Sequence, residues 1–255
     1  MTTDVSHTPS SLESAVQAHL DQSNARVAKL EHQRQLYWVK REEGLSLRMR
    51  LQKGYAATSF EAEHQALHQL NALNVPVPEI ISEGADYFVL PDSGHNLQYV
   101  LRHSDYIPHE CLPAFSHAGD ALADLHAKGI SHGRPVIRDF CWRAPNITLL
   151  DFERFSPKRN TARGHVQDLL IFAHSALTRS QGFTPELAAA LEAYRAKNPG
   201  ETWERTTEYC ARLGWVNWLT KPVQWRGRGK AKEFKAIPMV LDLFAGRNVV
   251  QPADL

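Results

Sequence analysis

Arg26–Leu30 and Gln35–Arg41 read as short strands, joined by the polar turn Glu31-His32-Gln33-Arg34. Ahead of them, Ser10 and Glu13 have the spacing of a capping box, which predicts a helix through about Leu20. A further extended segment is expected at Leu45–Leu51. Thr58 and Glu61 repeat the capping spacing and open a helix whose apolar positions are Phe60, Leu67 and Leu70. At about 100° per residue, Glu63 falls near the middle of that apolar stripe, whereas Glu61 falls outside it. A carboxylate centred on a buried stripe needs a partner, because an unpaired buried charge is very costly. Glu61 is explained as a cap. Glu63 is not.

After Val75-Pro-Val-Pro78 come two strand-like runs, Glu79–Ser82 and Tyr87–Leu90, and then the turn-rich break Pro91-Asp-Ser-Gly94. From about His95 the pattern is helical. Leu112–Lys128 places Phe115, Ala118, Leu122 and Leu125 on one face, with Gly129 as its stop. The chain therefore changes class near residue 92, from mainly β with one helix to mainly α.

Composition narrows the function. The 255 residues carry 29 Lys+Arg against 28 Asp+Glu, a formal charge of +1, which argues against a globally basic nucleic-acid binder. Cys111, Cys141 and Cys210 are far apart and lack metal-ligand spacing, so they read as reduced structural thiols. The polar start MTTDVSHTPSS has no signal-peptide pattern, and no apolar run approaches the ~18–20 residues that span a bilayer. A cytoplasmic protein is expected, with any membrane contact peripheral.

The chemistry concentrates between Leu125 and Phe155. A helix stops at Gly129, a loop carries His132-Gly133-Arg134-Pro135, and a short segment at Asp139-Phe140-Cys141-Trp142 turns at Arg143-Ala-Pro-Asn146. The strand Ile147–Leu150 then delivers Asp151. Two short strands and a tight turn consume about a dozen residues, so Asp139 and Asp151 can lie side by side at one end of a hairpin. Paired carboxylates of this kind suit Mg²⁺ bound together with substrate phosphates. The plainer reading makes them loop acids paired with Arg138 and Arg154.

Taken in order, these motifs resemble the protein-kinase-like superfamily, in its bacterial lipopolysaccharide (Kdo/WaaP/InaA-type) kinase branch. The resemblance covers roughly residues 26–180. Tyr37-Trp-Val-Lys40-Arg41 resembles the strand that supplies the phosphate-binding lysine, and Glu63 the helix glutamate that pairs with it. Val89-Leu90-Pro91-Asp92 is similar to the hinge that holds adenine, which implies nucleotide contacts at Leu90 and Asp92, with Trp38 close by. Leu125-His126 and His132-Gly133 resemble the approach to the catalytic loop. Asp151-Phe152-Glu153 stands at the metal-binding D-F-G, and Asp168 resembles the buried aspartate that braces the loop.

The departures are specific. No glycine-rich loop precedes Lys40. Arg134 stands where the catalytic aspartate is usual, and Asp139 where the metal-binding asparagine is usual. Trp38 replaces a small residue over the adenine. Phosphoryl transfer depends mostly on positioning and charge neutralisation, which Lys40, Arg134 and a metal at Asp139 and Asp151 can supply. Loss of the base slows activation of a hydroxyl by about 10²–10⁴-fold unless another group substitutes; His132 and Glu153 are nearby candidates.

The resemblance implies a two-lobed α+β kinase-like fold, a small β-rich lobe at 23–91 and a helical lobe at 92–255, preceded by an N-terminal extension and helix at 1–22. It implies ATP and Mg²⁺ as cofactors and a sugar or glycolipid acceptor, with lipopolysaccharide core the natural candidate. Lys40, Glu63, Arg134, Asp139 and Asp151 form the expected catalytic set, with Asp139 and Asp151 on the metal. Two alternatives stand beside it: a pseudokinase, a nucleotide-binding or scaffolding module that lost turnover with its base, and transfer of AMP from an inverted nucleotide.

Lys221–Lys235 holds six basic residues and one acid, with Trp225 and Phe234 interleaved. That mixture suits glycolipid phosphates or an anionic membrane surface, or else a solvated loop. Trp203, Trp215 and Trp218 are expected to pack the second lobe. The thirteen histidines show one helical i,i+4 pair, His64 and His68, and no established metal motif. Nothing indicates nucleic-acid recognition.

Overall fold

The structure, a computed structural model, describes residues 11–42, 55–103, 108–224 and 231–246. The chain divides into two units, Met1–Ser93 and Gly94–Leu255. The first is a β-sheet with helices and the second is mainly helical with a small sheet, an α+β architecture.

In the first unit, α1 (Leu12–Gln22) begins one residue later than the capping pattern predicts. Its N-cap is Ser11, and the reciprocal partner is Ser14 in place of Glu13. Strands β1 (Val27–His32), β2 (Gln35–Arg41), β3 (Ser82–Glu83) and β4 (Tyr87–Pro91) form an antiparallel sheet in the order β1-β2-β4-β3. Val16 and Leu20 of α1 pack on Val39 and Val89, so the terminal helix supplies part of this unit's core. The β1–β2 turn is tighter than the sequence indicates. Only Gln33 and Arg34 lie between the paired His32 and Gln35, both with positive φ (50° and 63°), the backbone of a type I′ turn.

Helix α2 (Tyr55–Ala72) starts three residues before Thr58. An N-cap requires non-helical backbone, so the expected Thr58–Glu61 box does not form; Glu61 instead accepts from Gln65 Nε2 at 2.5 Å. Leu67 and Leu70 are buried, with Phe60 half-buried. Asn74 at φ 51° turns the chain after the helix, where the Val75 N–H donates to Leu70 O. The run Glu79–Ser82 contributes less strand than expected: β3 is two residues long, with the Ile81 N–H donating to Val89 O just before it. Leu45–Leu51 lies outside the described residues.

The second unit opens with β5 (His95–Asn96) and α3 (Leu97–Arg102), capped by Asn96 Oδ1 accepting the Tyr99 N–H at 2.8 Å. The long helix α4 (Pro108–Ala127) buries Phe115, Ala118, Leu122 and Leu125, and Gly129 at φ +72° follows its end. Strands β6 (Phe140–Arg143) and β7 (Asn146–Leu149) pair antiparallel, with β5 on the far edge of β6. Helices α5 (Ala162–Ser180), α6 (Pro185–Lys197), α7 (Thr202–Arg212), α8 (Val216–Gln224) and α9 (Lys232–Phe244) complete the unit. Gly119 permits α4 and α6 to touch backbone to backbone: a Cβ there would come within 1.9 Å of Ala190 O.

Trp203 packs edge-on against Phe244, as a core residue should. Trp215 and Trp218 do not pack: they are 62% and 71% exposed, and Trp215 lies in the turn before α8. All three cysteines are buried thiols outside any disulfide. Among the described residues, no helix is long and apolar enough to cross a membrane.

Candidate active site

Lys40 and Glu63 come from different elements and meet. Lys40 lies next to the end of β2, where its backbone is fixed opposite Phe88 of β4. Glu63 is 9% exposed on the buried face of α2, the position that the helical wheel leaves without an explanation. Lys40 Nζ donates to Glu63 Oε1 and also lies 5.9 Å from the Phe88 ring centroid. A carboxylate buried on an apolar face is stable only when its charge is answered, and this lysine answers it.

Trp38, paired with Leu90 across β2–β4, is oriented by its indole Nε1–H, which donates to Asp92 Oδ1 at 3.0 Å. The Lys29 ammonium sits 5.2 Å from the Trp38 ring on the neighbouring strand. Asp92 also donates its backbone N–H to Leu36 O. Strand pairing thus continues one residue beyond Pro91 and commits a donor that a nucleotide hinge would present to adenine.

In the second unit, the loop after Gly129 is fixed from below by one side chain. Asp168, on α5 and 1% exposed, accepts the backbone N–H of His132 at 2.6 Å and that of Gly133 at 3.0 Å. His126 Nε2 approaches the same carboxylate at 3.4 Å, and its Nδ1 pairs with the Tyr194 hydroxyl at 2.7 Å. Gly133 is required where it stands. Its φ is +95°, and a Cβ would lie 2.7 Å from Arg154 O. Ser131 adds two ties the sequence does not advertise, its N–H to Asn160 Oδ1 and its hydroxyl to Arg159 O.

The β6–β7 hairpin brings Asp139 to Asp151. Phe140 pairs with Leu149, and one step further the Leu150 N–H donates to Asp139 O at 2.7 Å. Asp139 therefore stands at the start of one strand and Asp151 just past the end of the other. Asp139 is 3% exposed, and its Oδ2 accepts the Val136 N–H at 3.0 Å. Burial raises its carboxyl to about 7; the Asp151 charge pushes the same way, while the Val136 N–H, Arg138 and Arg134 oppose it. The donors are hard oxygens and the pair repels itself, a combination that fits Mg²⁺.

Arg134 changes the partner scheme. Its Nη2 lies 3.7 Å from Asp151 Oδ2 and 3.6 Å from Glu153 Oε1. Arg138 stands 3.6 Å from Asp139, as the plainer reading has it, but it is Arg134 in place of Arg154 that faces Asp151.

His132 corrects a second expectation. The ring is fully buried, Nε2 donates to Leu150 O at 2.9 Å, and buried Nδ1 has no hydrogen-bond partner. Burial holds its pKa below the usual histidine range. It stacks on Phe152 at 4.3 Å between centroids. His132 thus joins the loop to the strand end before Asp151 and has no face for a substrate hydroxyl. Its partner is eighteen residues away, so no local pattern reveals this role.

No family model matches the chain. A Haemophilus influenzae protein (strain ATCC 51907 / DSM 11121 / KW20 / Rd), described as an uncharacterized protein, is 30% identical over 198 residues, 77% of this chain and 81% of that protein. The chain belongs to the same family as this protein. Among solved structures, a medium-resolution structure of the bifunctional kinase-methyltransferase WbdD is similar with a TM-score of 0.40 and 14% identity. The match covers 68% of this chain and 42% of that one.

Proposed function

We propose that this protein is an ATP- and Mg²⁺-dependent phosphotransferase acting on a hydroxyl of a sugar or glycolipid, with lipopolysaccharide core as the favoured acceptor class. The observation that carries the reading is the closure of the β6–β7 hairpin, Leu150 N–H to Asp139 O, beside which Asp139 and Asp151 stand as neighbouring carboxylates. The Lys40–Glu63 pair and the double backbone clamp by Asp168 support it. The acceptor class rests on the order of motifs along the chain.

In this reading Lys40, oriented by Glu63, takes the nucleotide phosphates, and Leu90, Asp92 and Trp38 lie on the nucleotide side. Asp139 and Asp151 would hold Mg²⁺, which neutralises phosphate charge when bound. Arg134 adds a fixed positive charge to the same end of the hairpin. With His132 buried, Glu153 remains the candidate proton acceptor near Asp151, and its carboxylate faces Arg134.

One observation favours a pseudokinase instead: Arg134 lies within 4 Å of both Asp151 and Glu153, so a cation is already present where Mg²⁺ would be needed. Thermal-shift titration with ATP and ADP, with and without Mg²⁺, followed by mass spectrometry of the acceptor, separates the readings. Mg²⁺-dependent stabilisation, lost in Asp151→Ala, and a phosphate mass on the acceptor support the kinase. Nucleotide binding without turnover supports a nucleotide-binding pseudokinase, an AMP mass supports nucleotidyl transfer, and no nucleotide stabilisation overturns both enzymatic readings and leaves a scaffolding pseudokinase.

Peripheral contact with an anionic membrane or phosphorylated glycolipid belongs to the same proposal. Exposed Trp215, Trp218 and Leu219 adjoin the basic segment Lys221–Lys235, an apolar-plus-cationic pairing suited to an interface. Most of that segment's own side chains lie outside the described residues. Co-sedimentation with vesicles containing phosphatidylglycerol, weakened by salt and by Trp218→Ser, is the expected result; binding indifferent to both would sink it.

A further inference from the structure

Within the first unit, His64, His68 and Glu83 converge without any part in the Lys40–Glu63 pair. His64 and His68 lie one turn apart on α2, and both present Nε2 to the same oxygen, Glu83 Oε2, at 2.6 and 2.9 Å. Their ligand atoms all lie within 4.8 Å of one another. We propose that this triad is a binding site for a divalent transition metal, with Zn²⁺ as the fitting ion.

The donor set is two imidazole nitrogens and a carboxylate, which Zn²⁺ accepts readily while keeping a fourth position for water. Ligand atoms around a tetrahedral Zn²⁺ at about 2.0–2.1 Å are separated by about 3.3 Å, so the two nitrogen–oxygen distances, 2.6 and 2.9 Å, would each need to lengthen by less than about 1 Å. Binding would replace the two hydrogen bonds. In the bound state each ring would offer its Nε2 lone pair and carry its proton on Nδ1, the tautomer opposite to the one that donates to Glu83 without metal. Glu83 is already held as a carboxylate, its pKa lowered by the hydrogen bonds from His64 and His68.

The fold prepares the geometry. Glu83 pairs with Phe88 across β3–β4, and directly paired residues face the same side of a sheet. Phe88 is fully buried, and the His64 ring packs against it at 5.5 Å and against Phe60 at 6.3 Å. One cross-strand pair thus positions both the carboxylate and the surface on which the first imidazole rests. His68 meets the His64 ring edge-on at 4.8 Å. The sequence shows only the i,i+4 histidines; the third ligand comes from another element and cannot be read from spacing. Metal here would pin α2 to the β3–β4 edge, and α2 is the helix that presents Glu63, the residue before His64.

The test uses the full chain, stripped with chelator and titrated with ZnCl₂ by calorimetry and with CoCl₂ by visible absorption. The expected result is one Zn²⁺ per chain with a Kd of about 1 µM or tighter, and Co²⁺ bands of a tetrahedral site. Both His68→Ala and Glu83→Gln should weaken binding at least about tenfold, whereas His109→Ala, remote in sequence and highly exposed, leaves it unchanged. His68 and Glu83 side chains are 53% and 45% exposed, so both variants should fold, which their metal-free melting temperatures check. Zn²⁺ should raise the melting temperature of the wild type and of neither ligand variant. No binding below about 100 µM, or binding indifferent to both substitutions, overturns the site.

Discussion

Asp168 accepts the backbone N–H of His132 at 2.6 Å. Through that bond and its neighbour at Gly133, a residue on α5 determines the path of a loop more than thirty positions earlier. A buried N–H left unpaired costs about 1–3 kcal/mol. Asp168→Ala removes the acceptor for two of them and should lose roughly 3–5 kcal/mol in urea unfolding. Asp168→Asn, which keeps an acceptor oxygen, should lose less. Equal stability for Asp168→Ala and wild type would mean that the loop is held by other means.

The Lys40–Glu63 pair is partly buried, with side chains 24% and 11% exposed. A double-mutant cycle with Lys40→Met and Glu63→Gln should give a coupling of about 1–3 kcal/mol, larger than an exposed pair gives. Lys40→Met should also weaken ATP binding on the proposed function. A coupling near zero would reduce the pair to a surface contact.

Acid and base act on this fold in opposite senses. Asp139 has its pKa raised from 3.8 to about 7, so between those values the folded state binds more protons than the unfolded. Its contribution is fully present below pH 3.8 and is lost as pH rises through about 7. Asp139→Asn keeps an acceptor for the Val136 N–H and cannot ionise. Its stability relative to wild type, measured by denaturant unfolding without metal, should rise across that window and level off above it. A constant difference from pH 4 to 8 would mean that Asp139 titrates normally.

His165 titrates the other way. It stacks on His126 at 4.4 Å, its buried Nε2 has no hydrogen-bond partner, and burial lowers its pKa from 6.5 to about 4. Its share of stability is present above pH 6.5 and is lost as pH falls through about 4. His165→Phe preserves a ring for stacking and should blunt acid unfolding in that range. An NMR titration that protonates His165 near pH 6.5 would contradict the burial argument.

The β1–β2 turn carries positive φ at two residues that have a Cβ, Gln33 and Arg34. Replacing the pair with Asn-Gly, the sequence a type I′ turn favours, should stabilise the protein by about 1 kcal/mol. Chemical denaturation measures this directly. A loss of stability would show that the two side chains contribute more than the strain costs.

Local chemistry made some of this legible in the sequence. The Asp139-to-Asp151 interval equals two strands and a turn, and the hairpin follows from it. Glu63 was conspicuous because a charge sat on an apolar stripe, and its lysine lies where the strand pattern leads. What stayed hidden depends on partners far apart in sequence. The buried ring of His132 is set by Leu150, the direction of Arg134 by the fold of its loop, and the third member of the His64 cluster by strand register. Trp215 and Trp218 look like core residues by composition, but the turn at Trp215 and the helix that follows it present them to solvent. The cap of α1 shifted by one residue, since the adjacent Ser10 and Ser11 offer the same side-chain oxygen.

Asp151 has φ 64° and ψ 53°, the left-handed backbone that few residues other than Gly, Asn and Asp adopt without cost. Selection for folding alone would drift at this position toward Gly, which relieves the backbone, or Asn, which tolerates it. Of those three residues only Asp brings a charge to face Arg134. On the proposed function, a library ranked by thermal stability and one ranked by phosphotransfer should therefore part company at residue 151, and the distance between the two rankings would measure how much stability the carboxylate costs.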